Sequence, residues 1–591
     1  MPTLVLRLWR RLRPRRQHQF GLLLGLMVIS AFAEVVSLGG VLPFIGVLTA
    51  PNQVLNHPVV AGLAQAWGIL SADQLVLPFT AAFVAVVVAA AGIRMLFLWV
   101  STRLISACGA DLSVEVYGRT LYQPYRVHVA RNSSEVISGI TSKVNGAVFG
   151  VLQPLLTLVS SALLLVSIIF ALIAIAPMAS SVAVVGFGAS YGLITWMTRR
   201  QLYRNGQRIN CEHVQVIKAL QEGLGGIRDV LLDGTQAVYC DIYGRADHSL
   251  RRAQSNNSFI AGSPHFVMEA LGMSLIVALA YGLSSQAGGI AEALPVLAAL
   301  ALGAQRLLPA LQRCYSAWAS MVGNYASLVD TMELLDQPLP AEVVRPHFAP
   351  LPLQDAIRFN AVRFRYVSDG PWVLDGISFS IPRGARVGFV GSTGSGKSTT
   401  LDLLMGLLMP TEGEILIDGQ PITGNRLSAW QRSIAHVPQS IFITDTTMAE
   451  NIALGVPRDA IDLQRVQQAA RQAQIASFIE SRSEGYHAFV GERGIRLSGG
   501  QRQRIGIARA LYKQASVLVF DEATSALDSD TEQSVMDAIE GLSRDLTIVI
   551  VAHRLSTVEY CDRLYRLEQG RVVAEGSPAD LLAVKGVAPT A

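Results

Sequence analysis

The chain is short of charge. Asp, Glu, Lys and Arg account for 16% of its 591 residues, whereas 51% are hydrophobic; a soluble protein of ordinary composition carries about 25% charged residues. Lysine is nearly missing, with Lys143, Lys218, Lys397, Lys513 and Lys585 the only five among 48 basic residues. A net charge of +4 over this length leaves no polybasic footprint, so nucleic acid is not an expected partner. The five cysteines (Cys108, Cys211, Cys240, Cys314 and Cys561) are scattered without C-x-x-C spacing, which excludes a disulfide framework or a zinc pattern and leaves them as unpaired thiols.

The apolar residues that dominate are unevenly placed. Six runs near 20–50, 75–100, 147–171, 177–198, 259–285 and 289–312 reach the roughly 20 residues that a helix needs to cross a bilayer. These predict a helical membrane domain over 1–334. A tether follows over 335–355, carrying Pro338, Pro340, Pro346, Pro350 and Pro352, and then a soluble α/β domain over 356–591. An even number of crossings returns the chain to its starting side. Arg7, Arg10, Arg11, Arg13, Arg15 and Arg16 precede the first run, and 101–146 and 199–258 are also rich in arginine; 51–74, 172–180 and 283–292 hold no Lys or Arg. The N-terminus, both long connections and the C-terminal domain are therefore expected in the cytoplasm.

Ala31-Phe32-Ala33 resembles a signal cleavage site, but apolar character resumes past Glu34 to Ala50, longer than a signal core requires. The external connection 51–74 suits a short helix on the outer surface or an ordinary loop. Glu34, Arg94, Glu269, Arg306 and Arg313 fall in or near apolar runs. A mid-bilayer charge costs about 2.5–3.5 kcal/mol even on the lenient scale, so each calls for a cavity or a partner. Arg306 and Arg313 are seven apart, on one helix face with Pro309 between them, and suit an anionic head group. In the alternative, Glu34 or Glu269 pairs with Arg94 and Arg313 snorkels to the surface.

The soluble half opens with β-rich segments and then Arg386-Val387-Gly388-Phe389-Val390, a short buried strand. It runs into Gly391-Ser392-Thr393-Gly394-Ser395-Gly396-Lys397-Ser398-Thr399. A strand, a glycine-rich loop and a helix starting at Lys397 or Ser398 make a phosphate loop. Backbone N–H groups cradle phosphate oxygens there, Lys397 neutralises the β- and γ-phosphates, and Ser398 ligates Mg²⁺. Asp521-Glu522 follows four apolar residues, as at the end of a buried parallel strand; Asp521 suits Mg²⁺ and Glu522 the attacking water. Gln439 lies between phosphate loop and signature, where it meets metal or water. His553 follows the apolar strand 547–551, within reach of a γ-phosphate. Tyr366, about thirty residues before Lys397, suits an adenine face or a plain exposed strand position. Leu497-Ser498-Gly499-Gly500-Gln501 opens another helix and offers a second set of backbone donors.

Taken together, the phosphate loop, Gln439, Leu497–Gln501, Asp521-Glu522, Ser525-Ala526-Leu527-Asp528 and His553 resemble the motif series of ABC transporters. Glu492, just before the signature, resembles an element typical of ABC exporters. The resemblance implies an exporter half-transporter that acts as a homodimer, in which the signature of one chain completes the ATP site of the other. Tyr366 would stack adenine, Gln439 would sense nucleotide, Glu522 would be the general base, His553 would be the γ-phosphate switch, and Asp528 would cross the dimer seam. Coupling helices are implied around Tyr122–Tyr125 and Gln221–Val230. Glu34 with Ser37-Leu38 and Pro43-Phe44, Arg94, and Arg306-Leu307-Leu308-Pro309 with Arg313 are similar to the bacterial flippase for lipid-linked oligosaccharides of protein N-glycosylation; His265 stands where a further basic residue is wanted. This implies a polyprenyl-pyrophosphate cargo in a bacterial inner membrane, with Arg94, Arg306 and Arg313 facing it. A multidrug, lipid A or peptide exporter is the alternative. The six apolar runs disfavour a soluble ATPase acting on DNA or ribosomes, and the intact Glu522 disfavours a hydrolysis-dead regulator while leaving an ATP-gated channel open as an alternative.

Overall fold

The computed structural model describes residues 1–40, 76–175, 177–284, 289–339, 349–522, 545–551 and 558–583, with isolated positions between them. The chain divides into two compact units. One contains Met1–Gln123 and Arg131–Pro338; the other contains Pro124–Ala130 and Leu339–Ala591.

The first unit is all helix. Long helices span Pro14–Gly39, Val76–Leu121, Gln153–Ile175, Pro177–Gly225, Pro264–Ser284 and Gly289–Gly323, so a helix lies at each of the six apolar runs. Their ends differ from the expected spans: Val76–Leu121 has 46 residues and Pro177–Gly225 has 49. At 1.5 Å per residue these are roughly 70 Å long, against a hydrocarbon core of about 30 Å. Polar and basic residues continue the helical period beyond the apolar stretch, so hydropathy alone marked only the membrane part. Among the described residues, three helices are long and apolar enough to cross a membrane: Pro14–Ser37, Val76–Leu121 and Ser133–Phe170. Val88, Met95 and Leu98 stand exposed on one of them, as lipid-facing side chains do. The expected outer helix in 51–74 lies outside the described residues.

Close backbone approach and buried polar bonds lock the helices together. A Cβ on Gly206 would collide with the carbonyl oxygen of Gly323, and one on Gly150 with Asn324. Ser327 donates to Asn210 (2.7 Å), Asn210 donates to Asp330 (3.1 Å), and Lys143 pairs with that carboxylate (2.9 Å). Single π-turns at Gly139–Lys143 and Val148–Leu152 interrupt the helix that begins at Ser133. Such one-residue bulges re-aim the side chains that follow them.

The second unit carries two sheets. The antiparallel one has β1 (Ala356–Phe364), β2 (Leu374–Pro382), β4 (Glu412–Ile417) and β5 (Gln420–Pro421), in the order β2-β1-β4-β5. The larger sheet has β3 (Arg386–Val390), β6 (Ile434–Val437), β7 (Val517–Asp521), β8 (Thr547–Val551), β9 (Arg563–Glu568) and β10 (Arg571–Gly576), in the order β10-β9-β3-β8-β7-β6. It is parallel from β6 to β9. Strand side chains alternate between faces. Val517 and Val519 therefore enter one core with Val387, Phe389 and Tyr565, while Leu518 and Phe520 enter a second core with Ile548, Ile550 and Ile505. Covering both faces requires the unbroken apolar runs seen in the sequence.

Replacing Gly206 by Ala should lower the thermal midpoint of the detergent-solubilised protein by several degrees, as expected for about 1–3 kcal/mol of overpacking. Gly225→Ala, where nothing lies within 4 Å of the added atom, should not lower it. Equal midpoints for the two variants would contradict the tight helix crossing.

Candidate active site

The carboxyl ends of β3, β6 and β7 meet at one edge of the parallel sheet, where ligands of open α/β folds bind. The chain leaves β3 through Gly391 at φ +154°, where a Cβ would run into the carbonyl of Leu567 and sit 2.8 Å from Ser395 Oγ. Gly396, at φ +102°, is the N-cap of the helix Lys397–Leu404. That start is one of the two positions expected. The turn aims the first N–H groups of the helix into the loop.

Lys397 Nζ donates to the carbonyls of Gly391 (2.8 Å) and Ser392 (2.9 Å). Burial lowers its pKa below the ordinary lysine value, and the charges of Glu522 and Asp521 oppose that shift. Ser395 Oγ is buried and has no hydrogen-bond partner among the described residues. A buried hydroxyl of this kind costs free energy until something accepts from it. An orphaned donor, a buried cation and a helix N-terminus converging on one loop fit a phosphate chain.

β7 ends at Asp521, and Glu522 adopts φ +49°, a left-handed conformation uncommon for a residue with a side chain. Its N–H donates to the Val551 carbonyl (3.0 Å), and its carboxylate accepts from Gln439 Nε2 at 2.8 Å. Gln439 and Glu522, 83 residues apart in sequence, are thus in direct contact. Ser398, Gln439 and Asp521 remain the residues suited to Mg²⁺.

Tyr366 lies just past β1. It is 40% exposed, with its hydroxyl 3.4 Å from Thr399 Oγ1 and its ring edge-on to Phe364. An exposed face beside the phosphate loop suits a base. Ser498 is the N-cap of the 14-residue helix Gly499–Tyr512, and it and Gln501 form a reciprocal capping box. Gly499, Arg502 and Gln503 line a cavity of about 550 Å³ together with Gln439 and Phe442. Gln503 is buried, and neither of its amide atoms has a partner among the described residues.

Several expected residues are placed differently or not described. His553 and Asp528 lie outside the described residues, as does the side chain of Arg306. Arg94 does not stand open. It donates twice to the buried Glu34 carboxylate (3.0 and 3.2 Å), which is the helix-pairing arrangement. Glu269 is exposed, 3.9 Å from His265. Arg313 is exposed without an acidic partner among the described residues. Short helices lie at Tyr125–Ala130 and Ile227–Leu232, a few residues later than the positions at which coupling helices were expected. Asp402 went unnoticed in the sequence. It sits in the helix Lys397–Leu404, and burial, with Asp521 adding to it, raises its carboxyl pKa to about 6. The one available signal was an acid set among Leu401, Leu403 and Leu404.

This architecture and loop chemistry define a P-loop ATPase joined to a helical membrane domain. Residues 374–525 match the profile of the family described as "ABC transporter". The chain belongs to that family and is an exporter half-transporter, an ATPase whose hydrolysis drives export. It is 35% identical over 396 residues to an "ATP-dependent lipid A-core flippase" of Chromohalobacter salexigens, covering 67% of this chain and 68% of that one. It is 32% identical over 487 residues to a flippase of the same description from Cupriavidus metallidurans, covering 80% of each. A solved structure of a bacterial Atm1-family ABC exporter with ATP bound aligns with TM-score 0.75 and 27% identity, over 95% of this chain and 96% of that one. The two flippase relatives carry the lipid A-core name rather than that of the oligosaccharide flippase suggested by the membrane residues.

An Asp402→Asn variant should show the pH dependence of that buried carboxyl. Because its folded pKa of about 6 lies above the ordinary 3.8, its stabilising neutral form is fully present below pH 3.8 and is lost as pH rises through 6. The thermal-midpoint advantage of the variant should grow by a few degrees between pH 4.5 and 8, with most of the change complete by about pH 6. A pH-independent difference would contradict the assignment.

Proposed function

We propose that this chain is a homodimeric, ATP-driven flippase of a bacterial inner membrane. Its cargo is an amphipathic lipid with a phosphorylated sugar head, carried from the cytoplasmic to the outer leaflet. One observation carries the reading: the phosphate loop, the Gln439–Glu522 pair and helices apolar enough to cross a membrane occur in a single chain. The six apolar runs, with arginine confined to alternate connections, support six spans with the N-terminus and ATPase domain cytoplasmic.

When ATP enters, the loop Gly391–Thr399 takes the phosphates. Lys397 leaves the Gly391 and Ser392 carbonyls for the β- and γ-phosphates, and Ser395 gains an acceptor. Tyr366 stacks the adenine. Mg²⁺ would be held by Ser398, Gln439 and Asp521 and would supply charge neutralisation. Glu522 orients and deprotonates the attacking water once the Gln439 amide releases it, and His553 contacts the γ-phosphate. The signature Leu497–Gln501 faces the partner's ATP, and Asp528 crosses the seam. One phosphate loop and one signature per chain support two copies. So do Ile227, Leu231 and Leu232, apolar and exposed on the short helix Ile227–Leu232.

The relatives' lipid A-core name supports a phosphorylated glycolipid, and Arg313, two turns from Arg306, offers it a cation. A polyprenyl-pyrophosphate oligosaccharide is the second reading, favoured by the pattern of Glu34, Arg94, Arg306, Pro309 and Arg313.

Reconstituted in proteoliposomes, the protein should translocate fluorescent lipid A, or the polyprenyl-pyrophosphate glycan, only with ATP. Glu522→Gln should reduce hydrolysis about 100-fold or more and stop translocation while ATP still binds. Failure to move either lipid would refute the cargo class, and undiminished hydrolysis in the variant would remove Glu522 from its role.

A further inference from the structure

The short helix Tyr125–Ala130 connects two long helices of the membrane-side unit in sequence, yet it belongs to the compact unit that holds the ATPase fold. None of its residues is buried. It is therefore present for what it touches rather than for core packing. Arg126 Nη2 donates to the main-chain carbonyl of Tyr366 at 2.6 Å, across 240 residues of sequence. Partial burial raises the pKa of the neighbouring Tyr125 hydroxyl, and the charges of Asp402 and Tyr366 add to the shift.

The loop between β1 and β2 has little else to hold Tyr366. Val373 N–H donates back to Phe364 and Gly370 N–H to Val367, closing the loop beyond the tyrosine. Arg365 stacks on Trp372, 4.7 Å from its ring centroid. The Tyr366 side chain has the long 3.4 Å contact with Thr399 and an edge of Phe364. Its carbonyl is held by Arg126.

We propose that Arg126 is a positioning residue for the adenine wall of the ATP site. By holding the Tyr366 carbonyl it fixes the face that the ring presents, so that affinity for the base depends on the segment between the two membrane-side helices. Affinity for the triphosphate depends on the phosphate loop and is left alone. The inference rests on the reading that Tyr366 stacks adenine.

The test uses full-length protein in nanodiscs. Arg126→Ala should raise KM for ATP about 3- to 10-fold, the effect of losing one charge-assisted hydrogen bond, and leave kcat within about two-fold. Inhibition by inorganic tripolyphosphate, which has no base, should be unchanged. Arg126→Lys, which still donates to a carbonyl, should restore KM to within about two-fold of the parent. In a Tyr366→Ala background, Arg126→Ala should add nothing further. Should Arg126→Ala not assemble, Arg126→Met, which keeps the stem and removes the donor, carries the same expectation. An unchanged KM, or equal weakening of ATP and tripolyphosphate, overturns the proposal. If Tyr366→Ala itself leaves KM unchanged, the adenine reading fails first and the positioning role falls with it. If Tyr366→Ala raises KM and Arg126→Ala does not, only the inference about Arg126 fails.

Discussion

A glycine-only turn between a buried strand and a helix is the constraint on which the ATPase depends. Gly391 leaves β3 where any side chain would meet Leu567 and Ser395, and Gly396 caps the helix that follows in a conformation that strains other residues. Because β3 lies between β8 and β9, the turn emerges in the middle of the sheet, and the carboxyl ends of β6 and β7 open on the same edge. Sheet order therefore brings the Glu522 carboxylate and the Gln439 amide, distant in sequence, to one place. Lys397 donates there to two carbonyls, and the Glu522 carboxylate accepts from an amide.

In the helical unit the controlling cost is charge in an apolar setting. Glu34 is buried and Arg94 covers it, which turns two expensive groups into a tie between the helices Pro14–Gly39 and Val76–Leu121. Glycines allow backbones to meet where Ser327, Asn210, Asp330 and Lys143 form a polar chain. Helix association in lipid lacks a hydrophobic drive and relies on small residues and polar bonds of this sort.

The phosphate loop, the β7 carboxylates and the signature helix were legible in the sequence because each depends on local residue types: glycines, an apolar run, and a serine before a helix. The positions of the apolar helices were legible for the same reason. Their lengths were not, since the helical period persists after the hydropathy that reveals it has ended. The Gln439–Glu522 and Glu34–Arg94 contacts join distant segments, and no local pattern specifies such a partner. Asp402 was hidden because its character comes from burial beside Asp521, and Arg126 because a bond to a main-chain carbonyl carries no side-chain code.

The most direct measurement is the ATP dissociation constant of the full-length, detergent-solubilised protein carrying Lys397→Ala, a change that removes the ammonium and keeps the loop glycines. The account predicts binding about 30- to 100-fold weaker with an unaltered fold, as expected for losing a charged donor to phosphate. Unchanged affinity would place the phosphates elsewhere and contradict it.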